Sequence, residues 1–200
     1  MKGAPLPPIG RVNTALLLHD MQNDFIRESL ARPEMQAVVK RTRALIDLAH
    51  SLPIPVIYTR VEYDPEMGFP AEREPYLRRS GPTNCVKGTQ GAEIIDQLKP
   101  AAGDYVINKV RSSAFHETRL ETLLRVKGVW ILIVAGGSTN WGVDWLARDA
   151  KSRDIVTVAL KDCTYSATEE AQSASLANID DFLGYVMDYE QVVQALAKSR

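Results

Sequence analysis

The chain has few residues that could support a metal site, a disulfide framework or a polyanionic partner. Its two cysteines, Cys85 and Cys163, lie far apart and outside any CxxC spacing, which argues against disulfides and zinc. The three histidines, His19, His50 and His116, are scattered and form no HExxH motif, so we expect no metal. A net charge of −1 argues against binding to nucleic acid or to an anionic membrane.

Long apolar runs are also missing. No stretch is long enough to span a bilayer, and the first residues lack the apolar core of a signal peptide, so we expect a cytoplasmic protein. The composition, 45% hydrophobic and 24% charged over 200 residues, is that of an ordinary globular protein. This length predicts one domain over residues 1–200.

Short apolar runs alternate with amphipathic segments along the chain. Because the apolar runs are apolar throughout, they predict an α/β fold with a parallel sheet covered by helices on both faces. We expect strands at 14–19, 54–59, 105–108, 129–135, 155–160 and 184–187, and helices at 35–51, 91–98, 117–126, 144–150, 167–180 and 189–198. Residues 61–87, rich in proline and glycine, predict a lid, a binding loop or a plain insertion.

Polar residues follow several of these strands. Asp20 follows the first strand, Lys109 ends the third, and a glycine turn at 136–142 ends the fourth. In doubly wound sheets ligands bind beyond the carboxyl ends of the strands, so we expect these groups at one edge. Burial should raise the pKa of Asp20 and Lys109 should lower it, which would poise the pair for proton transfer. Alternatively, Asp20 caps the turn at 21–24 and Lys109 is a solvated strand end.

The glycine turn is the most informative stretch. It joins an apolar run to a helical segment, which places backbone N–H groups at the mouth of a site. Gly142 in this turn has no side chain that could act as a nucleophile. Trp141 and Trp145 fall four residues apart, which indicates a core or subunit contact, although Trp141 could instead wall the pocket.

Four other polar residues have structural interpretations. We expect Asp24 to hydrogen-bond its own turn and Ser113 to be a turn residue. His19 should point away from the following aspartate, as a buried histidine with satisfied nitrogens. Arg78 in the long loop either binds a substrate carboxylate or is an exposed charge.

Three stretches in order, LLLHDMQNDF (16–25), INKVRSSAF (107–115) and AGGSTNWGVDWLARDA (135–150), resemble the isochorismatase-like hydrolase superfamily. The resemblance spans about residues 12–190. It implies a doubly wound, mostly parallel six-stranded sheet in a Rossmann-like three-layer sandwich. It also implies a small-molecule substrate, no cofactor, and a homo-oligomer, a dimer or a tetramer.

The resemblance also assigns roles to residues. Asp20 becomes the acid/base and Lys109 its charged partner, while the family's nucleophilic cysteine would fall at position 142, which is glycine here. The family further implies a non-proline cis peptide between Gly137 and Ser138. The residues implied in substrate binding are Phe25, Arg78, Gly137, Ser138, Thr139 and Trp141.

Isochorismatases within the superfamily also have glycine at this position and cleave an enol ether without a covalent intermediate. The leading hypothesis is therefore a cofactor-free hydrolase in which Asp20, as a general acid with a raised pKa, acts on a small carboxylate-bearing substrate such as isochorismate. Ser138 and Val61 stand where isochorismatases have tyrosine and glutamine, so other substrates are open. The alternatives are amide or ureide hydrolysis by Asp20-activated water, or a catalytically retired binding protein.

Overall fold

A computed structural model describes residues 5–67 and 84–198 of the chain. Its strands are β1 (Thr14–His19), β2 (Val56–Val61), β3 (Tyr105–Lys109), β4 (Ile131–Gly137), β5 (Val156–Tyr165) and β6 (Tyr185–Met187). They form one sheet in the order β3-β2-β1-β4-β5-β6, and every neighbouring pair is parallel. The sequence prediction of a six-stranded parallel sheet is thus confirmed.

The helices are α1 (Asn23–Ile26), α2 (Pro33–Ser51), α3 (Leu120–Lys127), α4 (Asp144–Lys151), α5 (Glu169–Asn178) and α6 (Tyr189–Lys198). Two of their ends follow from single residues. A proline occupies the first turn of α2, where its missing N–H costs nothing. Gly128 ends α3 in the left-handed region at φ 69°, where glycine is free of strain. Among the described residues, no helix is long and apolar enough to cross a membrane.

The predicted helix at 91–98 is wrong. Two short 3-10 turns, Gln90–Ala92 and Asp96–Leu98, stand there instead. Between them the backbone is extended, with Glu93 at ψ 148°, and Ile94 forms an antiparallel bridge with Gln22. The bridge between Ile94 and Gln22, just after β1, outweighs the helix-like spacing of the apolar residues in this segment.

The central strand β1 shows why the sheet is covered on both faces. Successive side chains of a strand point to opposite faces. Leu16 and Leu18 pack into a core that contains residues of α2 and α6, whereas Ala15 and Leu17 pack into a core that contains residues of α3 and α4. All six residues of β1 are buried, as expected for a strand between two helical layers.

The sheet reverses its winding between β1 and β4. β1 pairs with β2 on one side and with β4 on the other, so the chain moves outwards in both directions from this point. In open α/β sheets the crevice at such a switch point, outside the carboxyl ends of the strands, is where ligands bind. The ends of β1 and β4 carry Asp20 and the glycine turn, respectively.

Candidate active site

Asp20 is held by side chains from two other strands. Its backbone lies in the left-handed region at φ 51°, immediately after β1. Oδ1 accepts a hydrogen bond of 2.9 Å from the Thr59 hydroxyl, and Oδ2 accepts one of 2.6 Å from the Lys109 ammonium. Because both oxygens are engaged by β2 and β3, the carboxylate does not cap the turn that follows it.

Lys109 reaches the site from the edge of the sheet. It ends β3, which is separated from β1 by β2, and its four-carbon chain spans that distance. Nζ also donates to the backbone carbonyl of Arg111 at 3.0 Å. Its side chain has no exposed surface and that of Asp20 is 8% exposed, so this ion pair is buried and Lys109 is not a solvated strand end.

The environment of Asp20 favours the carboxylate. Burial alone would raise its pKa, but the attraction of His19 and of Lys109, together with the hydrogen bond from Lys109, outweighs burial and holds the pKa below its usual range. The opposing effects of burial and of Lys109 were expected from the sequence. At neutral pH a group with a lowered pKa is present as the carboxylate and has no proton to donate, which is contrary to the raised pKa that a general acid needs.

His19 does not point away from Asp20, so that prediction is wrong. Its ring is fully buried, and Nδ1 lies 3.2 Å from Asp20 Oδ2. Strand alternation does not apply across this pair, because the left-handed backbone of Asp20 ends the pleat at His19. Within the described part of the chain, neither ring nitrogen has a hydrogen-bond partner, so the prediction of satisfied nitrogens is wrong as well.

The turn after β4 passes very close to the end of β1. Gly136 has φ 101°, and a Cβ on it would lie 2.3 Å from the carbonyl oxygen of His19. A Cβ on Gly137 would lie 2.5 Å from the ring of Tyr165. The peptide between Gly137 and Ser138 is cis, as the family resemblance implied. Only glycines allow this approach.

Gly142 lies in a π-helical turn, Thr139–Val143, that leads into α4. A Cβ on Gly142 would lie 2.4 Å from Cε1 of His19, 2.9 Å from Nδ1 and 3.1 Å from Nε2. Real Cβ atoms essentially never approach another heavy atom to 2.4 Å. Position 142 therefore lacks a nucleophile, and its space is taken by an imidazole.

Neither cysteine of the chain supplies the nucleophile that position 142 lacks. Cys85 is buried, and burial together with the charges of Asp24 and Asp20 raises the pKa of its thiol to about 12. Burial also raises the pKa of Cys163. Because the thiolate is the nucleophile, two such thiols are inert at neutral pH.

Two of the expected substrate-binding residues are tied into the fold. The Thr139 hydroxyl donates to the carbonyl of Tyr165 at 3.0 Å, and its side chain is buried. The Ser138 hydroxyl donates to the side-chain carbonyl of Asn140 at 2.5 Å. These contacts fix the turn that holds Gly142.

The other expected substrate-binding residues are spread around this region. Trp141 is 45% exposed, and its indole N–H donates to the Ser112 hydroxyl at 2.7 Å. Trp145 is 52% exposed, so neither tryptophan belongs to the core of this chain. Phe25 is half-buried against both the main core and the small cluster around Cys85. Arg78 lies outside the described residues, as does most of the long loop.

Asp24 is structural, but not within its own turn as predicted. Its Oδ2 accepts a hydrogen bond of 2.7 Å from the backbone N–H of Cys85, far along the chain. Gly91 makes room for this carboxylate, since a Cβ there would lie 2.1 Å from Oδ2. Ser113 is a turn residue as expected, and its hydroxyl accepts the N–H of Phe115 at 3.2 Å.

Two residues that shape the site were not predicted from the sequence. The first is Thr59, whose signal is its place at the end of β2 in register with His19. The second is Gln22, whose buried amide donates to the carbonyls of Val61 and Ala92 and accepts the N–H of Val61, each at 2.7 Å. Gln22 thereby fastens the chain after β1 to the end of β2. No group of three metal-ligating side chains occurs among the residues that the structure describes.

The sequence matches the family model for the isochorismatase domain over residues 14–191. It is 32% identical over 207 residues to the ureidoacrylate amidohydrolase RutB of Yersinia enterocolitica, covering 93% of this chain and 90% of that one. A further ureidoacrylate amidohydrolase, from Methylorubrum extorquens, is 31% identical over 92% of this chain and 83% of its own length.

Solved structures agree with this match. A cysteine hydrolase from Pseudomonas syringae superposes with a TM-score of 0.88 at 25% identity, over 98% of this chain and 99% of that one. N-carbamoylsarcosine amidase from Thermoplasma acidophilum superposes with a TM-score of 0.75 at 27% identity, over 89% of this chain and 97% of its own.

Proposed function

The chain belongs to the isochorismatase family of hydrolases, and from this premise we propose that it hydrolyses an amide or ureide bond in a small carboxylate-bearing substrate. The Asp20 carboxylate acts as general base on water, and no covalent intermediate forms. This reverses the order of the two enzymatic hypotheses from sequence, in which cleavage of an enol ether came first.

The observation that carries the proposal is the buried ion pair between Asp20 and Lys109. Protonating the methylene of an enol ether requires Asp20 as a neutral acid, whereas activating water requires the carboxylate. The Lys109 ammonium at 2.6 Å and the Thr59 hydroxyl at 2.9 Å both stabilise the carboxylate. The amidohydrolase and amidase names among the relatives favour the same bond class.

The reaction follows general acid–base logic. Asp20 takes a proton from water while the water oxygen bonds to the substrate carbonyl carbon and the carbonyl electron pair moves to its oxygen. The oxygen then reforms the carbonyl, the C–N bond breaks, and Asp20 returns its proton to the departing nitrogen. Lys109 keeps its charge throughout.

Enol-ether hydrolysis is the second candidate, and Gly142 favours it. Isochorismatases share this glycine, which the resemblance connects with hydrolysis that needs no thiol. In that case a substrate carboxylate close to Asp20 would have to raise its pKa by repulsion, so that it could donate a proton to the substrate.

A two-product assay separates the candidates. Purified protein is incubated with N-carbamoyl amino acids, ureido acids, amides and isochorismate, and the release of ammonia and pyruvate is measured. We expect ammonia from a ureide or amide, lost in Asp20→Asn and retained in Asp96→Asn, whose side chain is 80% exposed in an ion pair away from the site. Pyruvate without ammonia would replace the first candidate by the second. Ligands that raise Tm but are never consumed would indicate a binding protein.

A further inference from the structure

His19 and Gly142 meet at a place that the proposed reaction does not explain. The edge of the imidazole that carries Nδ1, Cε1 and Nε2 faces Gly142, and each of these atoms lies 2.4–3.1 Å from where a Cβ would stand. The ring has no exposed surface. It could make room for a side chain at position 142 only by leaving its buried place.

The two ring nitrogens are unusual for a buried side chain. Buried polar atoms are nearly always hydrogen-bonded, and leaving one unpaired costs stability. Both nitrogens of His19 are buried without such a bond within the described part of the chain, and Nδ1 lies 3.2 Å from Asp20 Oδ2. A leucine or valine would fill the same space without that cost, so packing alone does not account for the histidine.

We propose that His19 takes the place of the absent nucleophile's side chain: its imidazole fills the space that a side chain at position 142 needs and positions the Asp20 carboxylate for proton transfer. The steric half of this proposal, that the imidazole fills the space beside position 142, rests on geometry alone. The positioning half, that His19 positions Asp20 for proton transfer, rests on the proposed function. His19 is a positioning residue, since it acts through Asp20. Position 142 must then be glycine because the imidazole of His19 leaves no room for a side chain there. The glycine is more than the simple loss of a cysteine.

The charges around Asp20 indicate what His19 does there. His19 from β1 and Lys109 from β3 both approach this carboxylate, and its charge contributes to the raised pKa of the buried Cys85 thiol. Lys109 and Thr59 supply the two hydrogen bonds to its oxygens. His19 Nδ1 lies 3.2 Å from Oδ2 as well, so its ring restrains the orientation of the carboxylate.

The steric half is tested without any substrate. A double-mutant cycle compares Gly142→Ala, His19→Ala and the double variant by Tm, and the exposed His116, crossed with Gly142→Ala in the same way, is the control. We expect Gly142→Ala to lower Tm by roughly 4–8 °C, because overpacking a core is destabilising, and most of that loss to vanish once His19 is alanine. Additive effects, equal to those seen with His116→Ala, would overturn the steric half.

The positioning half needs turnover. His19→Ala should lower kcat about 10- to 100-fold with KM within about threefold, since misplacing a catalytic group costs rate more than binding. His19→Asn, which keeps a polar side-chain atom close to the position of Nδ1, should recover part of the loss. The fall of kcat/KM at low pH should also shift to higher pH in His19→Ala, because His19 helps to lower the pKa of Asp20. Unchanged kcat with no such shift would overturn this half.

Failure of the proposed hydrolysis and failure of the role proposed for His19 give different results. If wild type releases neither ammonia nor pyruvate, the proposed function fails, and the Tm cycle still decides whether His19 and Gly142 are coupled. If wild type is active and His19→Ala is equally active at a correct fold, only the role of His19 fails. A circular dichroism spectrum of each variant shows whether it folds.

Discussion

Replacing Lys109 by methionine perturbs the buried ion pair at its cation. Methionine keeps most of the length of the side chain but leaves Asp20 Oδ2 without the donor at 2.6 Å. Removing one partner of a buried ion pair typically costs about 3–5 kcal/mol, a large part of the roughly 5–15 kcal/mol that holds a domain folded. We expect a loss of this size in the free energy of unfolding, measured by urea titration at pH 7.

The pH dependence of that loss identifies its cause. In wild type the folded pKa of Asp20 is depressed, so its stabilising contribution is present above the ordinary pKa of about 4 and is lost as pH falls. Without Lys109 the carboxyl can protonate in the folded state, so the deficit of Lys109→Met should shrink from pH 7 to pH 4. Lys99→Met, which removes an exposed ion pair with Asp96, is the control and should change little. A deficit equal to that of the control, or one independent of pH, would refute the reasoning.

Three further predictions concern the same site. Because the depressed pKa of Asp20 lends stability that is lost in acid, Asp20→Asn should lose less stability than wild type between pH 5 and pH 2, as followed by Tm. Because burial raises the pKa of both thiols, to about 12 for Cys85, iodoacetamide should neither inhibit hydrolysis nor alkylate the native protein at pH 7.5; rapid labelling detected by mass spectrometry would contradict this. Thr59→Val should cost about 1.5–3 kcal/mol in urea unfolding, because Asp20 loses its buried hydroxyl donor, and a loss below about 0.5 kcal/mol would count against that role.

The fold could be predicted closely from sequence because most of its strands contain short runs of consecutive apolar residues. Such runs occur where helices cover both faces, and they gave the parallel sheet with all six strands. The helix expected at 91–98 failed for the opposite reason. Its spacing was helical, but a bridge from Ile94 to Gln22 holds the segment extended, and a local pattern does not contain a partner so far away in the chain.

The candidate site could be predicted in part. Strand ends placed Asp20 and Lys109 together, because parallel strands share an edge. The orientation of His19 could not be derived, since it depends on the left-handed backbone of the next residue, which strand alternation does not anticipate. Sequence showed that Gly142 is not a cysteine; the structure shows that His19 occupies its space.

In the proposed reaction Asp20 works as a carboxylate, as a base on water. The pH dependence of kcat/KM between pH 4 and pH 8, on whichever substrate of the ammonia and pyruvate assay is turned over, tests it most directly. Because Lys109 and His19 hold the pKa of Asp20 below its usual range, the carboxylate persists down to pH 4, so we expect its titration to cause no fall of activity across this range, and Asp20→Asn to abolish activity. Activity that rises steadily towards pH 4 would require a protonated carboxyl and would rule out Asp20 as the base.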